Sequence, residues 1–340
     1  MDNQEKKHDS VLLAHGDGGL LTAEMINQIF LKYFSNSVLE QLSDAAVFTV
    51  PEGRLALTTD SFVVAPVFFP GGDIGKLAVC GTVNDLAVSG AHPLYLAASF
   101  IIEEGFPLAD LERVASSMAD ACREARVAVA TGDTKVVPRG QADGIFITTT
   151  GVGVLANETD LGPHRMEPGD VVIVNGNLGD HGLAILSARE TLGLEGLITS
   201  DCAPLNRLIG LLLEQCPGVK MMRDLTRGGL ATAAKEIARA GGRDIFLSEE
   251  RLPVHAAVRG GTEMLGLDPL YLANEGKFMA IVDPGQAGHA INLLRQHPYG
   301  LNAAVVGEVR NGEGQLYLET ALGGTRILDL LAGSPLPRIC

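Results

Sequence analysis

The chain has 340 residues, 46% of them hydrophobic and 20% charged, with 41 glycines, no tryptophan and a formal charge of −15. The apolar fraction excludes a mainly disordered chain, and the length suits two domains that hold their cores without disulfides. The acidity argues against nonspecific nucleic-acid binding, because phosphates are repelled by such a surface, whereas a magnesium-loaded nucleotide is compatible with it.

Residues 1–14 read as a loose arm, polar over residues 1–10 and with no hydrophobic signal core, and no run of 18 apolar residues occurs. The expectation is a cytoplasmic protein that neither crosses a membrane nor binds nucleic acid. The glycine-rich His15-Gly-Asp-Gly-Gly19 follows. Met25, Ile26, Ile29, Phe30, Tyr33 and Phe34 then recur at helical spacing, with Thr22 as the expected cap. Strand-like runs are predicted at Ala46–Val50, Leu55–Thr59, Tyr95–Ile102, Val127–Thr131 and Ile145–Leu155. Between them lie a helix over about 74–89 and another after Pro107, with Leu111, Val114, Met118 and Cys122 on one stripe.

His164-Arg-Met-Glu-Pro-Gly169 reads as a linker, and Val171–Val174 opens a second segment. Helices are expected near 204–216, 228–240 and 255–266, and strands near 244–247, 277–282 and 303–309. The organisation predicted is an arm with a glycine loop (1–40), two mixed α/β domains (41–160 and 165–325) and a tail (326–340). The five cysteines (80, 122, 202, 216 and 340) are odd in number and contain no Cys-x-x-Cys pair, which disfavours a disulfide framework and a structural zinc alike.

Aspartates are the first chemical signal. Asp44, Asp60, Asp85 and Asp224 each stand at the end of an apolar run, where a hard cation could be held between carboxylates and nucleotide phosphates. Each alone is as well explained as a turn former or helix cap. Phe69-Pro-Gly-Gly-Asp-Ile-Gly75 and Arg227-Gly-Gly229 lead into helices, whose N-terminal amides can bind phosphate, but neither is a Walker loop. Gly132-Asp-Thr-Lys135 follows an apolar run and offers Lys135 as a point charge for phosphate; Asn274-Glu-Gly-Lys277 offers Glu275 as a base. Gly179-Asp-His-Gly182 resembles a strand-to-helix turn, in which His181 reads as a packing or capping residue, since no second histidine stands at ligand spacing.

The last eight residues, Gly333-Ser-Pro-Leu-Pro-Arg-Ile-Cys340, carry two prolines that deny a helix. At about 3.3 Å per residue they could reach roughly 26 Å, far enough to place a terminal thiol in a pocket. Arg338 would favour the thiolate there.

Taken together these segments resemble the HypE family, the carbamoyl dehydratases of [NiFe]-hydrogenase maturation. The match runs through Thr59-Asp-Ser-Phe62, Phe68–Leu77, Gly81-Thr-Val-Asn-Asp-Leu-Ala-Val-Ser-Gly90, Thr131–Val137, Gly179-Asp-His-Gly182, Arg223–Gly229, Ala273–Lys277 and the Pro335-Leu-Pro-Arg-Ile-Cys340 terminus. The resemblance implies a PurM-like fold, that of the aminoimidazole ribonucleotide synthetase superfamily, with an ATP-binding first domain whose sheet forms a homodimer. It further implies that a HypF carbamoyltransferase loads Cys340, and that ATP drives dehydration of the carbamoyl group to a thiocyanate. The cyano group would then pass to iron on a HypC–HypD complex. Asp44, Asp60, Asp85 and Asp224 would hold magnesium and ATP, with Asn84 and Gly228 also at the nucleotide. Lys135 would act on the transferring phosphate and Glu275 would take the amide proton. Asp17 stands where the family usually has serine in the glycine loop. Selenophosphate synthetases carry Cys or selenocysteine and Lys in that loop, and His15–Gly19 has neither. A non-catalytic carrier with a degenerate ATP site is the remaining alternative.

Overall fold

The computed structural model describes residues 9–42, 45–189, 196, 198–331 and 338–340. Asp44, one of the four aspartates, lies outside the described residues.

Helix α1 (Leu20–Met25), a π-helical turn at Ile26–Phe30 and α2 (Leu31–Phe34) form one continuous stretch. It starts at Gly19, and Thr22 lies inside it, its hydroxyl accepting from the Gly18 N–H at 3.0 Å. The strand predicted at Ala46–Val50 does not form. Val47 is 75% exposed and Phe48 instead lays its ring on Tyr95, 4.3 Å between centroids. Pro51 follows immediately and cannot donate to a ladder.

The first sheet is built from β1 (Arg54–Phe62), β4 (His92–Glu103), β5 (Ala128–Val137) and β6 (Ile145–Leu155), in the order β1-β6-β4-β5. A short hairpin of β2 (Phe68–Phe69) and β3 (Gly72–Asp73) leads into α3 (Ile74–Val88), capped by the Asp73 carboxylate on the N–H groups of Gly75 and Lys76. Helix α4 (Leu108–Ala125) buries the predicted stripe of Leu111, Val114, Met118 and Cys122. Both helices cover one face of the sheet, where Leu96, Phe100, Ile102, Ile145 and Ile147 meet them.

The second half holds β7 (Val171–Val174), α5 (Asp180–Arg189), α6 (Asn206–Gln215), β8 (Val219–Asp224), α7 (Gly229–Gly241) and β9 (Asp244–Ser248). Then come α8 (Ala256–Leu265), β10 (Phe278–Val282), α9 (Ala287–Arg295), β11 (Ala304–Arg310), β12 (Leu316–Glu319) and β13 (Thr325–Leu328). Its seven strands run β13-β12-β9-β11-β7-β10-β8. The mixed α/β class and most predicted elements agree; β8, α9, β12 and β13 carry no element in the sequence reading, and α5 only the turn at its start.

Helix α3 joins the halves. Nearly every residue of it is buried, Ile74 through Val83 with the first core and Ala87 and Val88 with the second. A helix apolar all round is one packed on all sides. The Thr82 and Thr149 hydroxyls meet at 2.6 Å, and the Thr149 hydroxyl donates to the Ala78 carbonyl at 2.9 Å, fixing α3 to β6 without an unpaired polar atom.

Candidate active site at the domain junction

The C-terminal half of α3 and the ends of β1 and β8 border a cavity of about 420 Å³, lined among others by Asp60, Asp85, Asp224, Arg227, Glu275 and Cys340. Asp60 lies within β1, alternating with Thr59 and Ser61 so that it turns toward α3. Asp85 lies on α3, inside the helix predicted over about 74–89, and accepts from the Thr58 hydroxyl at 2.8 Å. Asp224 is the last residue of β8. Burial, then Asp224 and Asp60, push the Asp85 carboxyl up to about 7. Burial raises Asp224 to about 6, with Asp60 adding to the rise and Arg223 opposing it. Three hard-oxygen groups that repel one another are a fitting donor set for a divalent cation. Among the described residues no three metal-binding side chains close around one point, so a cation here would need further oxygens, such as phosphates.

Glu275 is 3% exposed and its Oε1 has no hydrogen-bond partner. Burial first, and Cys202, Asp201 and Asp224 after it, raise its carboxyl well above the usual range. Its backbone N–H donates to Asp201, which is paired with Lys277 at 2.9 Å. Glu275 is thus a buried carboxyl with an unspent oxygen, on the wall of the cavity that receives the terminal cysteine.

Cys340 is 8% exposed. The Arg227 Nε donates to its sulfur at 3.0 Å. Burial and Glu275 push the thiol up to about 12 despite that donor. The arginine at the sulfur is therefore Arg227, not Arg338 as the sequence reading expects. Arg338 instead donates to the Val63 carbonyl at 2.9 Å and pairs with Asp143. Gly228, beside Arg227, caps α7 at φ 78°, and a β-carbon there would meet the Thr232 hydroxyl at 2.1 Å, so only glycine fits this turn.

Three expected nucleotide residues do not line the cavity: Gly228, which adjoins it through Arg227, Asn84 and Lys135. Asn84 is 3% exposed and its amide is fully engaged, donating to the carbonyls of Ala203 (3.1 Å) and Glu275 (3.3 Å) and accepting from the Leu205 N–H (2.7 Å). It ties α3 to the second half rather than lining the site. Lys135 lies inside β5, since Gly132-Asp-Thr-Lys135 continues the strand rather than following it. Its Nζ pairs with Asp133 at 2.8 Å in solvent. Register puts Lys135 opposite Ile101 and Ile101 opposite Phe146, on the sheet face that none of the described helices covers, whereas Asp60 faces α3.

Arg227, Thr58, Asp201 and His181 carry no site role in the sequence reading. Arg227 was the most legible of them, as the one cation inside the Asp224–Gly228 turn.

The chain matches the AIR synthase related proteins, through their N-terminal domain over residues 42–155 and their C-terminal domain over residues 167–319. It is 48% identical to the carbamoyl dehydratase HypE of Azotobacter vinelandii, with 100% of both chains covered. A crystal structure of the hydrogenase maturation protein HypE in complex with ATP superposes with a TM-score of 0.94 at 47% identity, covering 97% of this chain and 99% of that one. HypE in a HypE–HypF complex superposes at 0.79, with 46% identity over 90% of this chain and 99% of that one. The fold is that of the AIR synthase related class. Within it, the chain belongs to the HypE family of carbamoyl dehydratases.

Proposed function

We propose that the protein is an ATP-dependent carbamoyl dehydratase that acts on its own C-terminal cysteine and supplies the cyanide ligand of [NiFe]-hydrogenase iron. The observation that carries this reading is Cys340, the last residue, seated against Arg227 in a carboxylate-lined cavity that also holds the buried Glu275.

With a carbamoyl group on the Cys340 sulfur, the amide oxygen attacks the γ-phosphorus and the bond from phosphorus to ADP breaks. The amide nitrogen gives up its protons, the carbon–oxygen bond breaks, and phosphate leaves a thiocyanate. Overall, carbamoyl thioester and ATP become thiocyanate, ADP, phosphate and a proton. Glu275 takes an amide proton; its unpartnered oxygen and its elevated affinity for protons suit that role. Asp60, Asp85 and Asp224, with Asp44, would hold Mg²⁺. The ion supplies charge neutralisation at the phosphates, without which four acidic side chains would repel ATP. Arg227 orients the sulfur and its carbamoyl group, and Gly228 admits the nucleotide close to the backbone.

Residues 41–160 serve ATP and pairing with a second copy, 165–325 complete the cavity, and 326–340 carry the reacting thiol. The open face of the first sheet, with Leu55 62% and Leu57 75% exposed, supports a homodimer. A dimer would also give Lys135, on that same face, a nucleotide to reach in the other copy. HypF is the loading partner in this reading, as the HypE–HypF complex of a relative supports; a HypC–HypD complex would receive the cyano group in the cytoplasm. Among the described residues no helix is long and apolar enough to cross a membrane.

Intact mass of the protein after incubation with carbamoyltransferase, carbamoyl phosphate, magnesium and ATP tests the reading. A carbamoyl adduct that loses one water only with ATP, and is absent from Cys340→Ala, is the expected result. A stable adduct that never loses water would leave a carrier with a dead ATP site.

A further inference from the structure

The dehydration proposed above needs Cys340 in the cavity, while loading by another protein needs the same thiol outside it. The contacts that hold residues 338–340 therefore decide between two states. Two of them are backbone: the N–H groups of Val63 and Ala65, just past β1, donate to the carbonyls of Cys340 (3.2 Å) and Arg338 (3.3 Å), so the tail pairs antiparallel with this segment. Arg189 at the end of α5 donates to the carbonyls of Ala65 (2.5 Å) and Arg338. The remaining carbonyl, that of Ile339, is met by His181 Nε2 at 2.9 Å.

His181 is fully buried, and its ring has one arrangement open to it. A carbonyl can only accept, so Nε2 carries the hydrogen and Nδ1 must accept. It does so from the Ser200 hydroxyl at 2.8 Å, and the Ser200 oxygen in turn accepts from the Cys202 N–H at 3.1 Å. Ser200 is pinned by its own N–H to the Pro70 carbonyl at 2.8 Å, and Gly71 packs so closely that a β-carbon there would meet the Ser200 nitrogen at 2.8 Å. The Phe69 ring presses edge-on against the imidazole, 5.6 Å between centroids. The Phe69-Pro-Gly-Gly turn thus fixes the serine, the serine fixes the tautomer, and the tautomer presents a single N–H to the tail. Burial lowers the affinity of His181 for a second proton, which keeps it in that neutral form.

Against these contacts stands a strain. Arg338 sits at φ 53°, the left-handed region that residues other than glycine avoid. The seated tail is held by several modest bonds against a conformational cost, so losing one bond shifts its equilibrium.

We propose that His181 is a positioning residue for the reaction: as the Nε2–H tautomer it anchors the Ile339 carbonyl and so sets how much of the time the Cys340 sulfur occupies the carboxylate cavity. The role in catalysis rests on the dehydratase reading; the seat itself does not. When the tail leaves, His181 loses its acceptor in a buried site, which favours its return.

The test uses the full-length protein and two variants. His181→Asn is too short to place a donor at the Nε2 position, whereas His181→Gln can place one there. Native labelling of Cys340 by iodoacetamide, followed by intact mass, reads the unseated fraction; the other four cysteines are buried. Loss of one buried hydrogen bond should unseat the tail about tenfold. With the tail mostly seated, labelling of His181→Asn should then be about tenfold faster, and single-turnover dehydration of the preloaded chain slower by the smaller factor by which the seated fraction falls. Loading by the carbamoyltransferase should not slow. His181→Gln should recover most of both changes, and Ser200→Ala, which leaves His181 in place, should shift both in the same direction by a smaller factor. Wild-type labelling of a folded His181→Asn protein would overturn the proposal, as would a glutamine variant no better than asparagine in both readouts. If the wild type never dehydrates but the labelling differences hold, the seat stands and the reaction assigned to it falls.

Discussion

Replacing Asp85 by asparagine tests the electrostatics of the cavity directly. Asp85 is raised from 3.8 to about 7 by burial and by the neighbouring Asp224 and Asp60. A group whose folded pKa lies above its unfolded one contributes stability that is complete below about pH 4 and is lost as the pH rises through about 7. About 3 units at 1.36 kcal/mol each sets a ceiling of roughly 4 kcal/mol of destabilisation at high pH. Asp85 is partly exposed and titrates together with Asp224, so about 1–2 kcal/mol is the portion to expect from it alone. Asparagine keeps the oxygen that accepts from Thr58 and removes the charge. The variant should therefore melt about 1.5–3 °C above the wild type at pH 8 and level with it near pH 4.5. The stabilisation that magnesium and ATP give the wild type should largely vanish in the variant, because a cation ligand is gone. Thermal melts from pH 4.5 to 8.5, with and without Mg·ATP, decide it. A variant less stable than wild type at pH 8, or one that keeps the full Mg·ATP shift, would refute the reasoning.

Two other substitutions separate chemistry from assembly. Glu275→Gln should lower single-turnover dehydration of the loaded chain by about 10²–10⁴-fold while the Mg·ATP melting shift persists, and the wild-type rate should climb with pH as Glu275 loses its proton; quenched-flow mass spectrometry reads both, and a normal rate in the glutamine variant would remove Glu275 from the mechanism. Lys135→Ala and Asp85→Asn should each be inactive alone. If Lys135 serves the other copy, mixing them with subunit exchange should restore about a quarter of wild-type sites, since half the dimers are mixed and each has one intact site. No recovery on proven exchange would confine Lys135 to its own chain.

The fold was legible where burial is one-sided. Helix α4 has its apolar residues on one stripe, and that stripe is what it buries. The strand over Ala46–Val50 was misread because a run of apolar residues says nothing about whether a neighbour exists to pair with it. Here Phe48 is satisfied by stacking on Tyr95 instead. Helix α5 escaped notice for the opposite reason. Seven of its ten residues are buried, so it has no polar face to set a period, and only the strand-to-helix turn at Gly179–Gly182 marks its start.

Residue types at the site were legible, but their meetings were not. Asp60, Asp85 and Asp224 come from a strand, a helix and a strand end in different halves of the chain, and only the way α3 spans both cores brings them to one cavity. Lys135 shows the limit most sharply. It sits two strands beyond β6, the neighbour of Asp60's strand, and the alternation of side chains along each strand decides the rest. Through the register Thr59–Thr150–Ala97 the open face can be followed from β1 across β6 to β4, and the Phe146–Ile101 pair carries it to Lys135. Asp60, one residue on from Thr59, necessarily turns the other way. Within a single chain the lysine and the carboxylates are on opposite sides of one sheet. Any common substrate must therefore wrap the β1 edge or be shared with a second copy, and subunit mixing distinguishes these two arrangements.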